Sequence, residues 1–350
     1  MTAGQHGISI IGYGGMGSQH ARLLTGLGAN LVSGIWDIDR NKRTAAEAAG
    51  LNVYSSFMEA LNDPLADLVL IATPNHLHKE MAIQAMQAGK HVICEKPVTL
   101  NSRELEEILE AAGQYGRLFV VHQNRRWDED YLTIKKIYDE RLLGEVFHLE
   151  TRVQGSRGIP GDWRKEPEFG GGMMLDWGVH LIDRLLLMIG ERVKQVYCTC
   201  TYVTGEQVDD GFRLLLTFES GKTALVEVGT SHFITLPKWY MCGNAGTAVI
   251  EDWEMNGRLV RLRTREGNDA KPIAAGAGLT KTMAPRNDET IEELELPAVK
   301  ASILDFYRNV FDTLEGKAEI LVKNSEVLRV MKVMEAAFES DRVRQAVPFE

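Results

Sequence analysis

The sequence predicts an α/β protein in which an N-terminal, doubly wound parallel sheet is followed by a C-terminal α+β domain built on a large, mainly antiparallel open sheet. Three observations carry this. Over the first ~120 residues short β-branched runs alternate with helical patterns, as a parallel sheet with crossover helices requires. A glycine-rich turn, Gly12 to Gly17, separates the first run from the first helix. After Val121 the rhythm changes, and from Val193 onward strand-like segments follow one another through tight turns, which points to antiparallel pairing.

Taken in order, the expected strands of the first domain are Ile8 to Ile11, Leu31 to Trp36, Leu68 to Ile71, His91 to Cys94 and Leu118 to Val121. Between them, stretches such as Gln19 to Leu27, Arg40 to Ala49 and Ser102 to Tyr115 have helical periodicity. This reading gives a first domain of residues 1–122 and a second of 123–350. In the second, a helix is expected from Asp128 to Arg141, then a strand at Val146 to Leu149, then a glycine-rich loop that opens another helix. Phe212 to Phe218 and Thr223 to Val228 form a hairpin about Glu219-Ser220-Gly221-Lys222. Residues 264–293 look like a surface excursion, and helices Ile303 to Glu315 and Ser325 to Ser340 close the chain.

A chain of 350 residues exceeds what one core usually serves, so two domains are expected on length alone. Hydrophobic residues make up 44% and charged residues 25%, which excludes a disordered chain. Apolar runs stop short of the ~20 residues that span a bilayer, and the N-terminus lacks the pattern of a signal peptide, so a cytoplasmic, membrane-free protein is expected. The net charge of -10 disfavours nucleic acid, whose phosphates call for a basic face. Cys94, Cys198, Cys200 and Cys242 have neither zinc nor disulfide spacing and read as reduced thiols.

The turn Gly12-Tyr13-Gly14-Gly15-Met16-Gly17 has the spacing that cradles a pyrophosphate. Gly12 permits the tight turn, Gly14 lets the backbone approach the phosphates, and Gly17 lets the helix pack against the sheet, with the helix N-terminus facing the anion. Asp37 ends the second strand about 20 residues on, where a carboxylate accepts hydrogen bonds from the ribose diol and so favours NAD. Arg40 argues the other way, since a cation there suits a 2′-phosphate or stacks on adenine. Two further segments, Ala72-Thr73-Pro74-Asn75-His76-Leu77-His78 and Glu95-Lys96-Pro97, lie at carboxyl ends of parallel strands, where ligands bind in such sheets.

The chemistry is expected from Gly170-Gly171-Gly172 and the helix behind it. On a regular helix Asp176 and His180 share a face, and a carboxylate beside an imidazole raises its basicity, giving a base suited to taking a hydroxyl proton. Set against this is a plain reading in which Asp176 sits at a helix start and His180 is a core histidine. A metal held by His, Asp and Glu is also conceivable, but hydride transfer to NAD needs none.

In combination, the glycine fingerprint, Thr73-Pro74-Asn75, Glu95-Lys96-Pro97 and the Gly-Gly-Gly segment followed by Asp176 and His180 resemble one family over almost the full length. It is the glucose-fructose oxidoreductase / inositol dehydrogenase / MocA family. The resemblance implies a Rossmann domain, and a second sheet that usually mediates a homodimer or homotetramer while its other face supports the substrate pocket. By motif, Lys96 matches the family's lysine, and Asp176 and His180 its acid and base helix. In that picture His180 accepts the proton, Asp176 orients and charges it, and Lys96 polarises the substrate oxygen. Tyr13, Ala72, Thr73, Pro74, Asn75, His78 and Glu95 join the cofactor set, and Asn124, Arg125, Trp163 and Arg164 border the substrate pocket. The implied activity is NAD-dependent oxidation of a ring hydroxyl of a sugar, glycoside or cyclic polyol. Two alternatives remain: a glycoside hydrolase that retains NAD and oxidises transiently, and a non-catalytic sugar sensor, which the joint presence of Lys96, Asp176 and His180 disfavours.

Overall fold

The structure, a computed structural model, describes residues 6–28, 31–266, 273–281 and 286–349. The first sheet comprises β1 (Gly7–Ile11), β2 (Val32–Trp36), β3 (Ala66–Ile71), β4 (His91–Cys94) and β5 (Phe119–Val121). They pair in the order β2-β1-β3-β4-β5, every pair parallel. Helices cover both faces of such a sheet, so its strands read as apolar runs, and all five residues of β1 are buried. The crossovers carry α1 (Gly15–Leu27), α2 (Arg40–Ala48), α3 (Phe57–Asn62), α4 (His78–Gln87) and α5 (Ser102–Tyr115). Their ends follow ordinary capping chemistry: Asn101 accepts from the Glu104 N–H at 2.9 Å to start α5, and Gly116 in the left-handed region (φ 61) stops it.

After α6 (Glu129–Asp139) come β6 (Val146–Gln154), α7 (Val179–Ile189), β7 (Val193–Thr201), β8 (Gly211–Phe218), β9 (Thr223–Gly229), β10 (Trp239–Gly243), β11 (Gly246–Ile250) and β12 (Gly257–Leu262). A hairpin of β13 (Ile273–Ala275) and β14 (Leu279–Lys281), then β15 (Ile291–Leu294), α8 (Leu304–Leu314), α9 (Asn324–Val343) and β16 (Val347–Pro348) complete the chain. The second sheet has nine strands in the order β15-β12-β11-β10-β6-β9-β8-β7-β16. It is antiparallel except for β6 against β9, a parallel pair that makes the sheet mixed. The fold is thus the α/β class expected.

The excursion expected at 264–293 is only partly one. Residues 267–272 and 282–285 lie outside the described residues, while β15 pairs with β12 and extends the sheet. All of α7 is buried but Leu187, because it is sandwiched rather than amphipathic at a surface. The last helix returns to the first sheet: Asn324 Nδ2 donates to the Phe119 carbonyl at 3.0 Å, and the Ser102 N–H to Glu335 at 2.6 Å. These contacts, and those of α8 described below, fix the cleft between the two sheets. Among the described residues the four cysteines are unpaired, and no helix is long and apolar enough to cross a membrane.

Candidate active site

At the carboxyl end of β1 the chain turns through Gly12, whose φ of +92 suits glycine and where a Cβ would come within 2.5 Å of the Ala72 carbonyl oxygen. A Cβ on Gly17 would lie 1.9 Å from the Gly12 oxygen, so only glycine lets α1 pack onto the turn. Gly14 and Gly15 are different, since a Cβ there meets nothing within 4 Å. They face open space, and Gly14, the residue before α1, offers the helix no side-chain cap. Its first amides are therefore available to an anion, with the positive end of the helix dipole behind them. A dinucleotide pyrophosphate fits this cradle.

Asp37 lies beside it, fixed by two main-chain donors: the Tyr13 N–H to Oδ2 at 2.7 Å and the Asp39 N–H to Oδ1 at 2.8 Å. The cleft that opens here is about 640 Å³. Of the residues expected to hold cofactor, Gly12, Gly14, Gly15, Met16, Asp37, Ala72, Thr73, Pro74, Asn75, Glu95 and Lys96 line it. Gln19, Trp36, Ile38, Leu77, Met81 and Asp162 also line it and were not anticipated, because none of them belongs to a motif.

Four of the expected cofactor residues do not line the cleft. Tyr13 contributes its main chain to Asp37, and Gly17 shapes the turn. Arg40, the exposed first residue of α2, stands away, while Arg43 turns its guanidinium onto the carbonyls of Asp37 and Ile38 at 2.6 and 3.1 Å. His78 is a correction: it is fully buried, with Nε2 against the Thr73 carbonyl at 2.9 Å and Nδ1 against those of Pro97 and Val98 at 3.1 and 3.2 Å. It ties the two strand-end loops together and cannot reach a ligand. Asn75 makes a similar tie across the cleft, its Nδ2 donating to the Phe169 carbonyl at 3.1 Å.

Lys96 Nζ donates to the Asp176 carbonyl at 3.1 Å and to Asp176 Oδ1 at 3.2 Å. The other oxygen, Oδ2, accepts from Arg164 Nε at 2.9 Å, and Arg164 Nη1 reaches Asp162 at 2.8 Å. Burial works against the Asp176 charge, but Lys96 and Arg164 hold its carboxyl below the usual range. Trp163 and Arg164 line the cleft from the second-sheet side, the guanidinium 4.6 Å from the Trp163 ring.

The expected pairing of Asp176 with His180 is not formed. Residues Met174–Gly178 make a π-helical turn before α7. Its i→i+5 bonding removes the alignment of residues four apart, and both Asp176 oxygens are taken by cations. His180 is buried with Nδ1 unpartnered. Burial first, then Lys96, Arg125 and Arg184, hold its pKa well below 6.5, the opposite of the raised basicity expected from a carboxylate neighbour. The imidazole is neutral.

Asn124 and Arg125 open the short turn after β5. Asn124 Oδ1 is buried without a partner. Arg125 pairs with Asp128 at 2.8 Å and lies 4.3 Å from the Trp177 ring and 5.6 Å from that of Trp253. Trp177 in turn packs edge-on to His180, centroids 6.0 Å apart. Neither tryptophan was singled out from sequence. Nor was a buried cluster of His20, Glu95, His122 and Tyr307, whose members come from four separate elements. His20, Glu95 and His122 are, among the described residues, the one set with the groups to hold a metal, but Glu95 Oε1 lies 2.7 Å from both imidazoles, the length of hydrogen bonds.

Comparison with known proteins agrees with this architecture. Residues 6–123 match the model of an oxidoreductase family with an NAD-binding Rossmann fold, and residues 131–249 match the GFO/IDH/MocA C-terminal domain. A scyllo-inositol 2-dehydrogenase (NADP(+)) of Bacillus subtilis is 29% identical over 98% of this chain and 96% of its own. A myo-inositol 2-dehydrogenase of Thermotoga maritima is 26% identical over 63% of this chain and 67% of its own. The crystal structure of an NAD-binding protein from Listeria innocua superposes with a TM-score of 0.94 at 48% identity, covering 98% of this chain and 99% of the other.

Proposed function

Because the chain belongs to the GFO/IDH/MocA family of NAD-binding oxidoreductases, we propose that it oxidises a secondary ring hydroxyl of a sugar, glycoside or cyclic polyol with NAD as hydride acceptor. The observation that carries the reading is the bonding of Lys96 Nζ, in the lining of the cleft, to Asp176, with the lysine near enough to His180 to help depress its pKa. The names of the two inositol dehydrogenases favour a cyclic polyol within this class.

The cofactor supplies the site that receives the hydride; the chain supplies position and proton handling. An ammonium has three donors, and Lys96 Nζ uses two on Asp176, so its third N–H is free for the substrate oxygen. Asp176 acts on Lys96, holding its ammonium in place, rather than on His180. The neutral imidazole takes the hydroxyl proton as the C–H bond gives up its hydride, leaving a carbonyl; one proton and one electron pair leave the alcohol. Arg164 and Trp163 close the mouth of the cleft and border the substrate with Asn124 and Arg125.

Preference for NAD over NADP rests on Asp37, since a carboxylate fixed by two main-chain donors repels a 2′-phosphate. The relative whose name specifies NADP(+) makes cofactor choice a point to measure. Self-association through the second sheet is supported by Tyr197 and Leu215, which are cross-strand neighbours and remain exposed.

The test is a screen of inositols, free sugars and glycosides with NAD, following NADH absorbance and products together. Net NADH with a keto product supports the dehydrogenase. Glycoside cleavage without NADH would replace it with the hydrolase that recycles its cofactor, and ligand binding without turnover with the sensor.

A further inference from the structure

Trp253 is 53% exposed, yet the structure around it is firmly built. It sits in the turn from β11 to β12, closed at its base by the Glu251 N–H donating to the Asn256 carbonyl at 2.7 Å. Within the turn Asp252 Oδ1 accepts the N–H groups of Glu254 and Asn256, both at 3.1 Å, and Oδ2 accepts from Asn256 Nδ2 at 2.7 Å. Such side-chain to main-chain bonds fix a short turn in one shape. Lys238 Nζ covers one face of the indole, 3.3 Å from its centroid. That lysine is itself buried and ion-paired with Asp130 at 3.0 Å, so it cannot drift from the ring. More than half of the residue nevertheless stays in solvent, where a large apolar ring is unfavourable.

Its neighbours tie this ring to the chemistry. Trp177 lies 6.0 Å, centroid to centroid, from Trp253 and 6.0 Å from the His180 imidazole, so it links the proposed base to the exposed indole. Arg125, on the substrate side of the cleft, touches both tryptophans, at 4.3 and 5.6 Å. A ring whose hydroxyl is oxidised must meet His180 and Lys96, and a single six-membered ring placed there leaves Trp253 one ring further out. Charge settles what the open part of the indole takes. Lys238 draws the π-electrons toward its own face, so the remaining surface is a poor partner for a cation. What it offers is flat apolar area, which the C–H face of a sugar or an aryl group covers by stacking. Because the indole is already fixed, such stacking costs little ordering of the protein.

We propose that Trp253 is a stacking platform for a second ring of the substrate, so that the protein oxidises a sugar or cyclic polyol carrying a glycosyl or aryl substituent in preference to the free ring. The proposal rests on the dehydrogenase reading above and narrows its substrate. Trp253 sets specificity and takes no part in hydride or proton transfer. Its contribution is the same before and during the reaction, so it acts on KM and leaves kcat alone.

The experiment follows NADH formation by wild type, Trp253→Ala and Trp253→Phe with matched substrates. Each sugar or inositol is supplied as the free ring, as an O-methyl derivative that has the substituent oxygen but no second ring, and as O-glycosyl and O-nitrophenyl derivatives. In wild type, kcat/KM for a two-ring substrate should exceed that of its methyl counterpart about tenfold, the scale of one stacking contact with the area it buries. Trp253→Ala should abolish that preference through KM, with kcat and the methyl substrate changed less than about threefold, while Trp253→Phe, which keeps a ring, retains part of it. A gain with the glycosyl derivative alone assigns a second sugar, and with the nitrophenyl derivative alone an aryl group; either supports the platform. A wild-type preference below about threefold, a preference that survives Trp253→Ala, or equal weakening of one-ring and two-ring substrates would overturn it. Should Trp253→Ala not fold, the wild-type ratio and Trp253→Phe decide by the same criteria. NADH from none of the substrates would instead refute the dehydrogenase reading, and the platform with it.

Discussion

Replacing Asp209 by asparagine should stabilise the protein, and more so as pH rises. Asp209 is 4% exposed and lies against the segment that leads into Asp176: Oδ2 accepts the Met174 N–H at 2.8 Å, and a Cβ on Gly172 would touch Oδ1 at 2.2 Å. Burial pushes its carboxyl up to about 7, helped by the charge of Asp210 and opposed by main-chain donors including those of Met173 and Met174. The group is raised above its unfolded value near 3.8, so the stability it contributes is fully present below that pH and is lost as pH climbs through 7. A rise of that size corresponds to about 4 kcal/mol by pH 8, of which about 2 kcal/mol has been lost by pH 5.

Asparagine stays neutral and its amide oxygen can still accept from Met174. The stability gap between variant and wild type should therefore widen by about 2–3 kcal/mol from pH 5 to pH 8, read from urea unfolding at both values. A constant penalty for one altered hydrogen bond, about 1 kcal/mol, moves both points equally and does not affect the widening. Parallel stability curves for the two proteins would show that Asp209 does not titrate in this range and would refute the reasoning.

Gly14→Val should fold normally, because the added side chain enters space that no protein atom fills, yet should abolish dinucleotide binding; calorimetry with NAD next to a thermal melt checks both halves. Asp37→Ala should narrow the NAD-to-NADP ratio of kcat/KM, and a wild type that uses both equally would remove Asp37 from the cofactor site. His180→Ala and Lys96→Ala should each lower kcat by at least about a hundredfold with NAD binding intact, and the double variant should be far less impaired than the product of the two. Since the His180 pKa is depressed, its neutral, proton-accepting form is complete above pH 6.5, so the His180-dependent rise of kcat with pH should fall wholly below that value; a rise centred above it would assign the base to another group.

The first sheet was legible because strands buried on both faces must be largely apolar, and β1, β3 and β4 read so but for Ser9, Asp67 and His91. The glycine turn was legible for a similar reason: Gly12 and Gly17 are demanded by contacts within a few residues in the chain or by the adjoining strand end. What escaped were features made by pairing distant segments. The parallel match of β6 with β9 joins residues 75 positions apart, such as His148 and Thr223, and no local pattern encodes it. His20 meets Tyr307 across 287 positions, and each alone is an unremarked residue on a helix.

The Asp176 and His180 pair shows where local periodicity misleads. Spacing of four marked two residues that both lie near Lys96, but for a reason that assumed an unbroken α-helix. A π-helical turn has intervened, and once the helix frame is released, the carboxylate is free to settle by electrostatics. Two cations, Lys96 and Arg164, compete for it against a neutral imidazole, and a charge-assisted bond is about twice as strong as a neutral one. Asp176 goes to the cations, and His180 is left without a carboxylate and surrounded by positive charge. On the proposed reading that outcome divides the chemistry, for a lysine pinned by a carboxylate would serve as a donor to the substrate oxygen, and a histidine kept neutral as the acceptor of its proton.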